Sequence, residues 1–302
     1  MKSFSIEKRE AIACYLFISP CVLGLLIFTV GPMLASFFMA FTDWDILTRP
    51  AWVGIANYKE IFTDDPFFWK ALWNTLYFTA FTVPLGLIGS FLLALLLNAK
   101  VKGLSWFRTA FYLPSIVPAV AGTMLWLWIL HPDFGLLNAV LHGLHLPTPP
   151  WMADPAWSKP ALIIMSLWGL GGGMIIYLAG LQGIPEQLYE AAAIDGANGW
   201  HRFWHITIPQ MSPVIFFNLI MGMIGALQTF TQAFIMSNGL GGPADSTLFY
   251  VFYIYNKAFR EFQMGYACAL AWILFVIILI ITLIQFKYVG KRVYYEFGTE
   301  AK

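Results

Sequence analysis

The chain has 302 residues, of which 59% are hydrophobic, 18% aromatic and 11% charged, against about 25% charged in an ordinary soluble domain. Such a composition belongs in a bilayer, and a formal charge of +1 with no concentrated basic face excludes nucleic acid as a partner. The three cysteines all lie in apolar stretches, with Cys14 and Cys21 about 10 Å of helical rise apart, so no disulfide framework follows.

The N-terminal MKSFSIEKRE is charged and runs into an apolar stretch too long for the core of a signal peptide, without a convincing small-residue cleavage site. An uncleaved first span is expected. A helix needs about 20 apolar residues to cross the hydrocarbon core. Uncharged stretches of that order occur at 11–41, 71–98, 110–130, 161–181, 211–237 and 264–286, and none contains Asp, Glu, Lys, Arg or His. The expected fold is an all-α membrane protein with six transmembrane helices, forming one transmembrane domain over 1–302. The connections at 42–70, 131–160 and 238–263 are too short for a domain of their own. Pro20, Pro32, Pro84, Pro114 and Pro118 fall within or at the ends of spans, where a missing N–H and a ring clash bend a helix and leave room for a cavity.

Orientation follows from the basic residues of the short loops. With the N-terminus inside, Lys2, Lys8, Arg9, Lys100, Lys102, Arg108, Arg202, Lys287, Lys291, Arg292 and Lys302 are cytoplasmic. Only Arg49, Lys59, Lys70, Lys159, Lys257 and Arg260 are outside. The positive-inside rule therefore places both termini in the cytoplasm.

The fourth and fifth spans are joined by a polar, helix-forming loop at 184–209, IPEQLYEAAAIDGANGWHRFWHITIP. Pro185 suits a first helical turn, Glu186 complements the positive end of the dipole, and the run from Glu190 to Ala193 is a strong helix former. Gly196 ends that helix as a residue free to take positive φ. Asn198 caps a second short helix at 200–206, which Pro209 stops before the fifth span. A lone Arg202 is too little for reading nucleic acid. His201 and His205, like Glu186 and Glu190, are four residues apart, but no third ligand converges at motif spacing, so no metal site is assigned. What remains is a docking element for a soluble protein.

These residues carry a family resemblance. Glu190, Ala191 and Ala192, then Gly196, then Ile206, Thr207, Ile208 and Pro209 resemble the EAA loop of ABC importer permeases, with Ile208 where that family usually has Leu. The opening FISPCVLGLLIFTVGP with FTDW, then VGIANY, FFWKALWNTLYFT, FRTAFYLPS and MGYACAL, resemble the carbohydrate-uptake branch. SNGLGGP departs from that branch's usual threonine-glycine-glycine-proline turn. The resemblance implies a six-helix permease with a cytoplasmic coupling helix, in a bacterial or archaeal inner membrane. Its partners would be a second permease subunit, commonly a different one, two ATPase subunits and an extracytoplasmic sugar-binding protein. ATP and Mg would be bound by the ATPase and no cofactor by this chain. Glu190, Ala191, Ala192, Asp195, Gly196, Arg202 and Phe203 would couple to the ATPase. The solute would be a di- or oligosaccharide, or a related polyol or glycerol phosphate; a non-sugar solute is the alternative.

A sugar path needs polar groups and room in an otherwise apolar bundle. Gly222, Gly225, Ala226 and Thr229 fall on one helical face of the fifth span, with Asn218, Gln228 and Gln232 close by. Close helix packing explains such a stripe equally well. Trp168 precedes Gly169, Gly171, Gly172 and Gly173, a cluster expected to break the fourth span. The Trp168 ring suits a pyranose face or a lipid-facing position. Neither a catalytic Ser, His and acid set nor a GxxxxGK[ST] phosphate loop is present, so no catalytic residue is assigned, and spans without an ionisable side chain weigh against an ion-coupled carrier.

Overall fold

The computed structural model describes residues 6–99 and 102–294. Lys2, Lys100, Lys302 and the outermost residues of the 1–302 domain assignment lie outside the described residues, and no side chain is described for Arg9 or Arg292. Backbone in hydrocarbon must satisfy its own N–H and C=O groups, and the apolar stretches are accordingly helical. In chain order the helices are α1 Ile6–Leu25, α2 Gly31–Met39, α3 Ala56–Thr63, α4 Pro66–Leu97, α5 Leu104–Ile116, α6 Ala119–Ile129, α7 Leu136–Gly143 and α8 Pro155–Leu167. They continue as α9 Leu170–Gln182, α10 Glu186–Ile194, α11 Gly199–Arg202, α12 Ile208–Leu227, α13 Thr231–Met236, α14 Tyr250–Tyr255 and α15 Met264–Tyr288. A two-residue antiparallel pair joins β1 Thr42–Asp43 to β2 Ala51–Trp52, with Thr42 opposite Trp52.

Four helical stretches are each long and apolar enough to cross a membrane: Glu10–Met39, Pro66–Leu97, Gly199–Met236 and Met264–Tyr288. The stretches expected at 110–130 and 161–181 are not single rods. α5 and α6 meet at 98°, and α8 and α9 at 43°. The sharper break follows from Pro118, which drives Val117 out of helical geometry to ψ 129°. Pro84, expected to bend its span, lies inside an α4 that runs unbroken. Two helices also begin earlier than the charges suggested, so that Lys70 lies in α4 and Lys159 in α8. Asp154 caps α8, its carboxylate accepting the Ala156 N–H at 2.8 Å, and Pro155 takes the first helical position.

The chain forms two compact units. One comprises Met1–Asp65 and Ile254–Ile273. In it the Phe37 and Trp272 rings meet edge-on at 5.0 Å and Trp272 Nε1 donates to Ser36 Oγ at 3.3 Å. Buried Asn57 donates to the carbonyls of Ala40 and Thr42, and the Tyr266 hydroxyl donates to Asp65. None of the apolar window in Glu10–Met39 is buried within the chain.

The second unit comprises Pro66–Tyr253 and Leu274–Lys302. Its centre is α4 packed against α9 and α12, with Phe91, Ala94 and Leu97 meeting Met174, Tyr177, Leu178, Leu181 and Met211. Between helices in lipid there is little hydrophobic drive, so close backbone approach has to hold them. Gly171 allows it: a Cβ there would lie 2.0 Å from the Phe111 carbonyl oxygen of α5. Gly171→Ala is therefore expected to destabilise the bundle by about 2 kcal/mol, as overpacking does. Gly172→Ala should be nearly neutral, because its Cβ would meet Ser115 Cβ at an ordinary 3.7 Å. Melting of the detergent-purified variants checks the contrast.

Candidate functional site

The bend between α8 and α9 leaves Trp168 and Gly169 between the two helices. The expected break is thus confined to those residues, and Gly171, Gly172 and Gly173 remain helical because they serve as contact points for α5 and α4. The Trp168 ring turns inward, edge-on to Trp126 of α6 at 6.2 Å. Gly122 makes room for it, since a Cβ there would already touch that ring at 3.4 Å.

Beside these two indoles lies a cavity of about 340 Å³, walled by α4, α6, the α8–α9 bend and the end of α12. Trp168, Gly222, Gly225, Ala226, Thr229 and Gln232 all line it. Gln228 does not: it caps α12 and is exposed. Thr229 is not on a regular helical face either, because α12 ends at Leu227 and the chain unwinds over 228–230 before α13. Ala226 of that stripe is buried, whereas the two glycines have space in front of them within this chain. A Cβ on Gly225 would meet nothing within 4 Å, and one on Gly222 only Val83 at 3.8 Å.

The walls also hold polar atoms without partners. Thr82 Oγ1 and Trp126 Nε1 are buried and make no hydrogen bond among the described residues. Buried donors and acceptors are normally satisfied, and leaving one unmade costs roughly 1–3 kcal/mol. A second cavity of about 220 Å³ shares Thr82, Ser166, Gly169 and Gly222 with the first and extends to Ser90, Tyr177 and Asn218. The Tyr177 hydroxyl there is likewise unpartnered. Sequence reasoning missed Thr82, Trp126 and Ser166, since an apolar run carries no mark of which face turns inward. A larger space of about 780 Å³ lies at helix ends beside Lys102, Arg108 and Glu186. It does not include the α12 face.

The loop at 184–209 is built as its sequence dictates up to one point. α10 closes with Gly196 at φ +78°; the Gly196 N–H bonds to Ala193 O at 3.1 Å and the Ala197 N–H to Ala192 O at 2.9 Å, a Schellman closure. Asn198 Oδ1 accepts the His201 N–H at 2.9 Å and caps α11. The second helix, however, does not stop at Pro209. A π turn, Phe203–Thr207, carries α11 directly into α12. Proline has no N–H for the carbonyl four residues back, and the wider turn absorbs that mismatch. The Tyr189 and Thr207 hydroxyls, 3.0 Å apart, tie the two arms together.

Glu190, Ala191, Asp195 and Gly196 are exposed, whereas Ala192 and Arg202 are half-buried around a small niche of about 210 Å³. Phe203 points inward, its ring 6.3 Å from Phe91 of α4. Two apolar side chains not singled out from the sequence stand out in solvent: Ile194 is 87% exposed and Trp200 69%. His201 and His205 stack at 5.9 Å, but no group of three metal-ligating side chains gathers among the described residues.

Apolar helices bent around a chain of cavities, with a polar helical loop projecting from the bundle, define a solute-conducting membrane subunit. The chain belongs to the family of binding-protein-dependent transport system inner membrane components, whose model matches residues 66–294; it is a transport subunit of the ABC class and not an enzyme. It is 46% identical to the probable ABC transporter permease protein YesP of Bacillus subtilis, with 98% of this chain and 96% of that protein covered. It is 34% identical to the lactose transport system permease protein LacF of Rhizobium radiobacter, covering 95% and 97%. A solved bacterial alginate ABC transporter, in complex with an alginate pentasaccharide-bound periplasmic protein, superposes with a TM-score of 0.81 at 25% identity, covering 96% of this chain and 98% of that one. The family read from the EAA loop is the family found.

Proposed function

We propose that this chain is one permease subunit of an importer for a di- or oligosaccharide, and that the solute passes through the linked cavities between α4, α6, α8, α9 and α12. The observation that carries the reading is the pair of inward-turned indoles, Trp126 and Trp168, in a cavity whose walls hold unpartnered polar atoms. Aromatic faces suit the apolar face of a sugar ring, and unmade hydrogen bonds suit its hydroxyls. Lactose and arabinooligosaccharides, named for two relatives at 34% identity, and alginate, named for the structural neighbour, are consistent with a saccharide.

In this reading each bent pair counts as one span, giving six, with both termini and the loop at 184–209 in the cytoplasm, as the distribution of Lys and Arg supports. The exposed face of α10 docks on one of two ATPase subunits, which hold ATP and Mg. A second permease completes the pathway and an extracytoplasmic binding protein delivers the sugar. The test is accumulation of labelled oligosaccharides in proteoliposomes containing all of these subunits. Uptake is expected to require both ATP inside and loaded binding protein outside. Uptake driven by an ion gradient without ATP would sink the proposal.

A further inference from the structure

Lys159 stands on α8 three residues before Leu162 and seven before Ser166, both of which line the 340 Å³ cavity. Asn74 of α4 precedes the cavity-lining Phe78 and Thr82 by four and eight residues. At helical spacing, Lys159 and Asn74 therefore sit one turn beyond the cavity on the faces that wall it. They meet there: Lys159 Nζ donates to Asn74 Oδ1 at 3.1 Å and lies 5.4 Å from the centre of the Tyr77 ring. The orientation of the amide is fixed, because Asn74 Nδ2 donates to the carbonyls of Asp245 at 2.8 Å and Leu248 at 3.1 Å. Asn74 itself is 2% exposed.

The charge of this ammonium is not balanced locally. The neighbouring cation, Lys70, is ion-paired with Asp245 at 2.9 Å, and no carboxylate among the described residues pairs with Lys159. The cavity lining contains no charged side chain. An ionisable group inside a membrane bundle is costly and marks a functional partner. An ammonium carries three donors, of which one is used on Asn74, leaving the others for a ligand.

We propose that Lys159 receives a single negative charge on the solute, so that the transported saccharide is an acidic one bearing carboxylates. This rests on the sugar-permease reading given above. One unbalanced positive charge matches a monoanion such as a uronate better than a doubly charged phosphate monoester. The neutral hydroxyls of the same sugar then fall to the unpartnered groups beside Trp126 and Trp168.

The test uses the complete importer in proteoliposomes, offered hydrolysates of pectin and alginate as acidic probes and of starch and galactan as neutral ones. Accumulated sugars are identified by mass spectrometry. We expect uronate oligomers to accumulate, and their carboxyl-reduced forms to be taken up less by about tenfold or more, the factor that roughly 1.4 kcal/mol of lost charge interaction gives. Lys159→Gln should lower uronate uptake similarly and Lys159→Arg should restore it, with melting curves recording whether each variant folds. Preference of the parental importer for neutral sugars, or equal uronate uptake by folded Lys159→Gln, overturns the proposal while the sugar reading stands. If the assembled importer hydrolyses ATP yet accumulates no saccharide, the sugar reading itself fails. Should the variants not fold, the preference of the parental importer between each uronate and its reduced form decides.

Discussion

Ile194→Asp is expected to abolish solute-stimulated ATP hydrolysis and transport by the reconstituted importer, while membrane insertion and melting of the isolated subunit stay unchanged. Ile194 ends α10 and is 87% exposed, so within this chain it has no packing to lose. An apolar side chain held out in water beside exposed Glu190 and Ala191 is what a docking partner buries. Losing such an anchor typically costs 2 kcal/mol or more, a weakening of roughly 30-fold in ATPase affinity. Gly196→Val should reach the same end by another route. A Cβ at Gly196 meets nothing within 4 Å, so there is no clash. The φ of +78° alone opposes a β-branched residue, by about 1 kcal/mol or more, and the Schellman turn that aims α10 is lost. Parental ATPase stimulation and transport by either variant would remove the loop from the coupling mechanism. Binding of the ATPase subunits, followed by co-purification, separates failed docking from failed movement.

Gly225→Trp is expected to reduce sugar uptake to that of vesicles lacking the importer, with assembly intact. Gly225 lines the cavity of about 340 Å³, and a Cβ there meets nothing within 4 Å, so the side chain starts into open space. An indole there would take up volume of the cavity that Trp168 also lines, the path proposed for the solute. The site is on α12 far along the chain from α10, and the docking surface is untouched. ATPase subunits should therefore still co-purify with the variant. Normal uptake by a well-expressed Gly225→Trp protein would return the α12 glycines to a packing role, the simplest alternative for small residues in a membrane helix.

Much of this molecule is legible in one dimension because its constraints are local. Twenty-odd apolar residues must be helix in hydrocarbon, whatever they pack against. The α10 closure needed only Gly196 and the cap of α11 only Asn198, and the order from Glu190 to Pro209 was enough to give the family. Proline was less decisive. Pro118 breaks the chain sharply and Pro84 does not interrupt α4, while Pro209 is absorbed by a π turn. Each outcome depends on whether the surrounding helix can find other partners for the freed carbonyl, which the local sequence does not state.

What only the tertiary structure decided is which side chains face one another. The stripe of small residues on α12 fitted either a helix contact or a void, and only the fold shows that within this chain a Gly225 Cβ has no neighbour within 4 Å. Trp126 and Thr82 acquire meaning by lining one cavity with Trp168, and Lys159 by finding Asn74 of α4 without an acid. Segmentation by charge had left Lys159 in a loop, although the Asp154–Pro155 cap placed the start of α8 before it. The physical reason for the division is range. Backbone hydrogen bonds and turn conformations are settled within a few residues of chain, whereas cavities and unbalanced charges are sums over helices that the sequence keeps far apart.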